Sequence, residues 1–358
     1  MYPCHLESNA RIVEYAGWQM PVQYSGVIAE CKAVRSSAGM FDVSHMGRTR
    51  FLGEGAFDLL ENLTTNDVSN LADHGSQYSM LCYPDGTVVD DIYVYRIARD
   101  EFRVIINAAN REKDVAWFLE HGADETGFED ETEFTAMIAV QGPSAREKVQ
   151  AVASEDLMRI EKYHSAECAI GGVRTFVGRT GYTGEDGFEL VMPSDFAPDI
   201  WRALIKQGVV PCGLAARDAL RVEAGLPLYG HEISDKINPI EAGLGWVCSK
   251  TKTFIGSDAI NKMRAERPSK KLVGVKMKSK MIPREGYELY RGGQRIGVMT
   301  SGVFSPLLDC GIGFAFAASE HSAPGECELL VRGAMVPAQI VGKRFLADSR
   351  AAQEAAKT

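Results

Sequence analysis

Apolar residues recur at helical spacing from Ser25 onward. Val27, Ile28, Cys31 and Val34 fall at i, i+1, i+4 and i+7, which predicts a helix capped by Ser25 and ending near Gly39. A second helical pattern starts near Gly55 with Ala56, Phe57, Leu59, Leu60 and Leu63, and Pro143 suits the first turn of a third over Ala145 to Val152. Ser194 reads as the cap of a fourth, carrying Phe196, Ile200 and Leu204, and the stretch from Pro211 to Gly225 reads as a fifth. Between these lie strands. Tyr83-Pro84-Asp85-Gly86 is a turn signal that opens into an alternating run from Val88 to Ile97, and a second run, Phe102 to Ala108, follows the polar break at Arg99-Asp100-Glu101. Together they read as an antiparallel meander. Beyond about residue 165 come two more strand-like runs, a glycine-rich turn and the strand Phe188 to Met192. Strands and helices interleave without regular βαβ spacing, so α+β layers are expected in place of a doubly wound sheet. From about residue 270 short strands alternate with glycine-containing turns, which predicts a separate small β-barrel or sandwich. Residues 347–358 are polar and alanine-rich and read as a frayed tail.

Size and charge narrow the function. A chain of 358 residues is expected to divide into two or three packed units. Its 45% hydrophobic and 24% charged residues are ordinary globular values, and no segment approaches eighteen uncharged apolar residues, so no membrane span is expected. The first residues lack the pattern of a secretory leader, which places the protein in the cytoplasm. A net charge of −9 argues against a phosphate-neutralising surface, hence against nucleic acid as a partner. The eight cysteines form no C-x-x-C, and His164 with Cys168 is a single ligand-like pair, too few for a metal site, so no metal is expected and the thiols read as reduced and buried.

Three segments could carry chemistry. In the strand that contains Asp90 and Asp91, alternation sends the two carboxylates to opposite faces. Asp90 shares its face with Val88, Ile92 and Val94, whereas Asp91 shares its face with Val89, Tyr93 and Tyr95. Asp91 is therefore the better candidate, and Asp90 needs a structural partner. The strand alone leaves open that both are simply salt-bridged acids. The second segment, Gly178 to Leu190, holds four glycines with aromatics and three acids. It lacks any phosphate-binding spacing, its glycines would let backbone approach a ligand, and its carboxylates suit a planar edge of N–H donors such as a pterin or purine; an ordinary acidic hairpin remains the alternative. The third is the helix with Arg217 and Arg221 four residues apart on one face, which calls for facing carboxylates, either in the protein or in an anionic ligand.

The order and wording of these segments resemble the glycine cleavage T-protein family across nearly the whole chain. The resemblance is carried by Ala16-Gly17-Trp18-Gln19-Met20-Pro21, Phe41-Asp42-Val43-Ser44-His45-Met46-Gly47, Thr65-Asn66-Asp67-Val68, the Asp90-Asp91 strand, Val140-Gln141-Gly142-Pro143, Gly181 to Glu189, Pro211 to Arg221, Leu228-Tyr229-Gly230, Glu241 to Trp246 and Thr300-Ser301-Gly302.

The resemblance implies a three-domain cloverleaf of antiparallel sheets and helices with a C-terminal β-barrel. Two interleaved folate-binding domains would span 1–270, approximately 1–46 with 131–213 and 47–130 with 214–270, and the barrel 271–346. It implies an aminomethyltransferase that takes a one-carbon unit from the lipoylated H-protein and passes it to tetrahydrofolate, the co-substrate, with no metal. Asp91 matches the family's catalytic aspartate, Glu189 its pterin-recognising glutamate and Arg217 its active-site arginine. Met46, Tyr78, Tyr95, Asn107, Tyr182 and Trp246 match positions that line the folate pocket. Cys31 departs from a histidine common in the family, and Lys343-Arg344-Phe345 lacks the aromatic-rich ending of some members. Related folate proteins remain as alternatives. A folate-dependent demethylase usually departs from the Asp42-to-Gly47 wording, and a non-catalytic protein assisting iron–sulfur assembly carries Lys-Gly-Cys where this chain has Leu228-Tyr229-Gly230-His231.

Overall fold

The computed structural model describes residues 1–346 and divides into two compact units. The expected tail, 347–358, lies outside the described residues. The first unit comprises Met1–Cys82, Val89–Arg217 and Val247–Ile255; the second comprises Tyr83–Val88, Asp218–Trp246 and the chain from Gly256 onward.

Two larger sheets and a two-stranded hairpin, Arg11–Tyr15 with Trp18–Gln23, make up the β-structure of the first unit. One has six strands in the order Ser165–Ile170, Val173–Gly178, Gly187–Pro193, Thr135–Gln141, Gly39–Asp42, Val210–Pro211, antiparallel except for the last pair. The amphipathic helix Ala197–Lys206 buries Ile200, Trp201 and Leu204 with Met40, Ile138, Val140 and Leu190 of that sheet. The other sheet orders Ser76–Cys82, Val88–Ala98, Glu101–Ile106, Gly47–Leu52 and Glu129–Asp130. The expected meander is present, with Val94 opposite Val104 and Tyr95 opposite Arg103. The layers are α+β, as the interleaved pattern predicts.

In the second unit six strands close into a barrel in the order Lys270–Met277, Cys310–Ala318, Gln294–Ser305, Glu288–Arg291, Gly325–Val331, Ala334–Val341. Closure removes the sheet edges, and Val275, Leu289, Ala315, Leu329 and Ile340 fill the interior.

One predicted cap differs. The helix Val27–Ser36 starts after Gly26, and no side chain of Ser25 caps it. Glu30 takes that place from the first turn: Oε1 accepts the amides of Tyr24 at 2.6 Å and Gly26 at 3.0 Å, and Oε2 accepts the amide of Gly213 at 2.9 Å. A carboxylate satisfies several amides at once where a serine hydroxyl would satisfy one. The helix expected over Ala145 to Val152 begins at Ala145 and ends at Gln150, and the one expected to be capped by Ser194 begins, after a short 3₁₀ turn at Ser194–Phe196, at Ala197.

Candidate active site

The pleat of the strand Val88–Ala98 separates the two aspartates as alternation requires. Val88, Asp90, Ile92 and Val94 are fully buried, whereas Asp91 and Tyr93 on the other face are half-buried. Asp90 has the structural partners that its burial demands. Its Oδ2 accepts the Asn107 amide at 3.0 Å, and its Oδ1 accepts Nδ2 of Asn107 at 2.9 Å and Nδ2 of Asn110 at 2.5 Å.

Asp91 is held by two donors. Tyr78, from the neighbouring strand Ser76–Cys82, donates its hydroxyl to Oδ2 at 2.8 Å, and Asn107 donates Nδ2 to Oδ1 at 2.8 Å and to the Asp91 carbonyl at 3.0 Å. Burial, followed by the nearby Asp90 charge, raises the Asp91 carboxyl to about 7, with the Tyr78 and Asn107 hydrogen bonds pulling the other way. An acid poised there exchanges a proton near neutrality.

Further along the same face Tyr95 is buried, its hydroxyl 2.5 Å from Thr180 Oγ1 and 3.5 Å from Glu189 Oε2. Thr180 donates to that same Glu189 oxygen at 2.6 Å. Among the described residues no protein donor reaches Glu189 Oε1, so this oxygen is open to a ligand. The other two acids of the glycine-rich segment are committed to the fold: Glu185 pairs with Arg35 at 2.8 Å, and Asp186 pairs with Arg179 at 2.6 Å. Two of the glycines are required by the fold itself. A Cβ at Gly178 would stand 2.7 Å from the Tyr95 hydroxyl, and one at Gly181 would stand 1.8 Å from Gln141 Oε1, so both make room for the protein's own side chains.

Arg217 completes the cluster. Its guanidinium carbon lies 4.9 Å from the centre of the Tyr182 ring, a cation–π contact, and its Nη1 is buried without a hydrogen-bond partner. Burial lowers its proton affinity, while the nearby charge of Glu189 favours the cation. Arg221 answers differently to the sequence pattern. Within the second unit its Nη1 donates to Glu232 Oε2 at 2.6 Å, a buried ion pair that accounts for one of the two arginines without any ligand.

Met46 ends a loop pinned by the buried Arg48, whose Nη1 donates to the carbonyls of Ser44 at 2.9 Å and of Met46, and whose Nη2 donates to the carbonyls of Thr132 and Thr135 at 2.5 and 3.0 Å. The adjacent His45 stands edge-on to Tyr15, with ring centres 5.5 Å apart, and has a buried Nδ1 that makes no hydrogen bond. Burial depresses it to about 4, against the pull of Asp42 and with the help of Arg217 and Arg48, so it is neutral at pH 7. Trp246 belongs to the second unit, where it sits exposed in the turn Gly245–Val247.

The structure thus brings Asp91, Tyr78, Asn107, Tyr95, Glu189, Arg217 and Tyr182 into one neighbourhood of the first unit. Sequence reasoning did not single out Thr180, His45, Asn110 or Asp114. The last two had a signal: residues 107, 110 and 114 follow helical spacing, and polar groups at that spacing on a buried face call for a polar partner. Among the described residues no cluster of histidine, cysteine and acidic groups could hold a metal, and no helix is long and apolar enough to cross a membrane.

Comparison with known proteins defines the class. Residues 1–252 match the GCVT N-terminal domain, and residues 270–346 match the glycine cleavage T-protein C-terminal barrel domain. An aminomethyltransferase of Symbiobacterium thermophilum is 43% identical over 96% of both chains, and one of Rubrobacter xylanophilus is 44% identical over 96% of this chain and 93% of that one. The crystal structure of the glycine cleavage system aminomethyltransferase T from Bartonella henselae superposes with a TM-score of 0.91 at 31% identity, covering 96% of each chain. A chain that matches both domains of this family, with an acid, a glutamate and an arginine gathered in its first unit, is a transferase. The chain belongs to the glycine cleavage T-protein family and is an aminomethyltransferase.

Proposed function

We propose that this chain transfers the one-carbon unit of an aminomethyl-dihydrolipoyl carrier, the H-protein of the glycine cleavage system, to tetrahydrofolate, with Asp91 as its central acid. The observation that carries the reading is the raised, half-buried Asp91 carboxyl held between Tyr78 and Asn107. The products are 5,10-methylenetetrahydrofolate, ammonia and the free dithiol arm. Two folate nitrogens form bonds to the carbon while its bonds to nitrogen and sulfur break, and the two protons given up by those folate nitrogens end on ammonia and on the thiol. Asp91 orients the attacking nitrogen, stabilises positive charge that develops on the iminium-like carbon and relays a proton. Placing folate and carrier arm together supplies rate through positioning, so no activated side-chain nucleophile is needed.

Glu189, with Oε1 open, accepts from the N–H edge of the pterin, and Arg217, with a buried unpaired N–H, meets an acceptor on the same ligand. Tyr95, Tyr182 and Met46 line that site. No metal takes part in this scheme. The division into three domains, 1–46 with 131–213, 47–130 with 214–270, and 271–346, is supported by the origin of each sheet: the strands of the six-stranded sheet lie within 39–42 and 135–211, those of the five-stranded sheet within 47–130, and those of the barrel within 270–341. A cytoplasmic location agrees with eight free, buried cysteines.

The test is ammonia release and methylenetetrahydrofolate formation from an aminomethyl-loaded lipoyl carrier, with wild type beside Asp91→Asn. Folate-dependent release that the variant largely loses while still binding folate supports activity and site together. Full transfer by the variant removes Asp91 from the chemistry, and folate binding without transfer in wild type moves the protein to a demethylase or a non-catalytic folate protein.

A further inference from the structure

Behind the Asp91 face lies a third carboxyl group that the scheme above does not use. Asp114 sits in the helix Arg111–Glu120, is completely buried, and neither of its oxygens accepts a hydrogen bond from any donor among the described residues. An ionised carboxylate in that condition would forfeit its hydration with nothing in return. Asn110 is one helical turn earlier, and its amide reaches Asp90 Oδ1, so the helix face that delivers Asn110 delivers Asp114 to the same partner. A carboxylate offers about four lone-pair positions. Three on Asp90 are filled, two at Oδ1 by the side chains of Asn107 and Asn110 and one at Oδ2 by the Asn107 amide, which leaves one place at Oδ2 for a donor.

We propose that Asp114 is a neutral carboxylic acid whose O–H donates to Asp90, and that this bond makes Asp114 a positioning residue for Asp91 through the chain Asp114–Asp90–Asn107–Asp91. Asn107 is the joint. Its single Nδ2 bridges Asp90 Oδ1 and Asp91 Oδ1, so an Asp90 that rotates takes the Asn107 amide with it and releases Asp91. The charged groups around Asp114 agree with a held proton. Burial and then the neighbouring Asp90 and, more weakly, Asp91 charges raise its carboxyl far above the ordinary range, and only Lys113 opposes them. That lysine spends a hydrogen bond on the Val89 carbonyl at 2.5 Å, and Arg111 of the same helix pairs with Asp130 and Glu133.

The inference rests on the proposed role of Asp91, and its test has one arm that does not. Infrared spectra of the full-length protein at pH 8 should show the carbonyl stretch of a protonated carboxyl group, present in wild type and absent in Asp114→Asn. No difference between the two overturns the assignment of the proton. In aminomethyl transfer, Asp114→Asn, whose amide can still donate to Asp90, should stay within about threefold of wild type and keep its acid limb, because it replaces one neutral donor by another. Asp114→Leu, which cannot donate, should lose at least about tenfold in kcat with KM for folate changed less than threefold. Equal activity of Asn and Leu variants overturns the positioning role. If Asp114→Leu does not fold, the Asn variant still decides: an acid limb that moves to lower pH means a negative charge was removed, so Asp114 was ionised and the proposal fails. A band lost in Asp114→Asn together with an Asp91→Asn enzyme that transfers normally overturns the positioning role too, and locates the error in Asp91 and not in the proton.

Discussion

The Tyr78 hydroxyl and the Asp91 carboxylate, on neighbouring strands of one sheet, meet at 2.8 Å, and this is the hydrogen bond that most opposes the rise of the Asp91 carboxyl. A donor to the ionised form stabilises it, so removing the donor raises the carboxyl further. Tyr78→Phe should therefore move the acid limb of kcat/KM from near 7 to higher pH by about one unit, the worth of a hydrogen bond of about 1.5 kcal/mol to a charged group. The pH profile of transfer decides it, and an unmoved limb would show that Asp91 does not control the rate.

Glu189 presents one oxygen to Thr180 and Tyr95 and keeps the other open. If that oxygen accepts a folate N–H, replacing the carboxylate by an amide loses a charge-assisted bond worth about 1.5–3 kcal/mol. Glu189→Gln should weaken folate binding by about ten- to a hundredfold in calorimetry, and should also lower the melting temperature, because the buried Arg217 cation loses the carboxylate charge that favours it. Unchanged affinity would take Glu189 out of the folate site.

What the sequence made legible follows from the range of the interaction that fixes each residue. The opposite facing of Asp90 and Asp91 comes from the two-residue period of a strand and needs no partner to be known. The roles of Gly178 and Gly181 do need partners: the side chains that would clash, Tyr95 and Gln141, lie far off in sequence and reach them only when strands pair. Arg217 and Arg221 look alike in a helix pattern. Only the loop that carries Glu232 back to Arg221 separates a structural arginine from one with a free N–H. Asp114 was hidden for another reason. Its helix is half polar and half apolar and its only buried apolar residue is Phe118, so hydrophobic periodicity does not show that Asp114 turns inward beside it.

Arg221 tests the structural half of that distinction. It is buried with Glu232, which also accepts from the Thr300 hydroxyl at 2.6 Å and from the Leu228 amide at 3.1 Å. Arg221→Met leaves the Glu232 carboxylate in the interior without its cation, a loss of about 3–5 kcal/mol. Adding Glu232→Gln to Arg221→Met removes the unpaired charge and should recover part of the stability. Chemical denaturation of both variants measures this, and a single variant as stable as wild type would contradict the pairing.

His45 makes the last prediction, and its sign is fixed by burial. The folded protein holds the ring neutral down to about 4, whereas an exposed histidine in the unfolded chain takes a proton near 6.5. Between those values the unfolded state binds the extra proton, so stability is fully present above about 6.5 and drains away as the pH falls toward 4. The loss from this residue alone is on the order of 3 kcal/mol by pH 4. Carboxylates titrate over part of the same range, so the informative quantity is the difference between wild type and His45→Gln, which has no proton to gain. Unfolding free energies of the pair should run parallel above pH 7 and diverge below pH 6, with wild type falling faster. A difference that stays flat from pH 7 to pH 4.5 would mean that the proton finds His45 in the folded protein, and that the ring is not sealed between Tyr15 and the Arg48-pinned loop as the geometry has it.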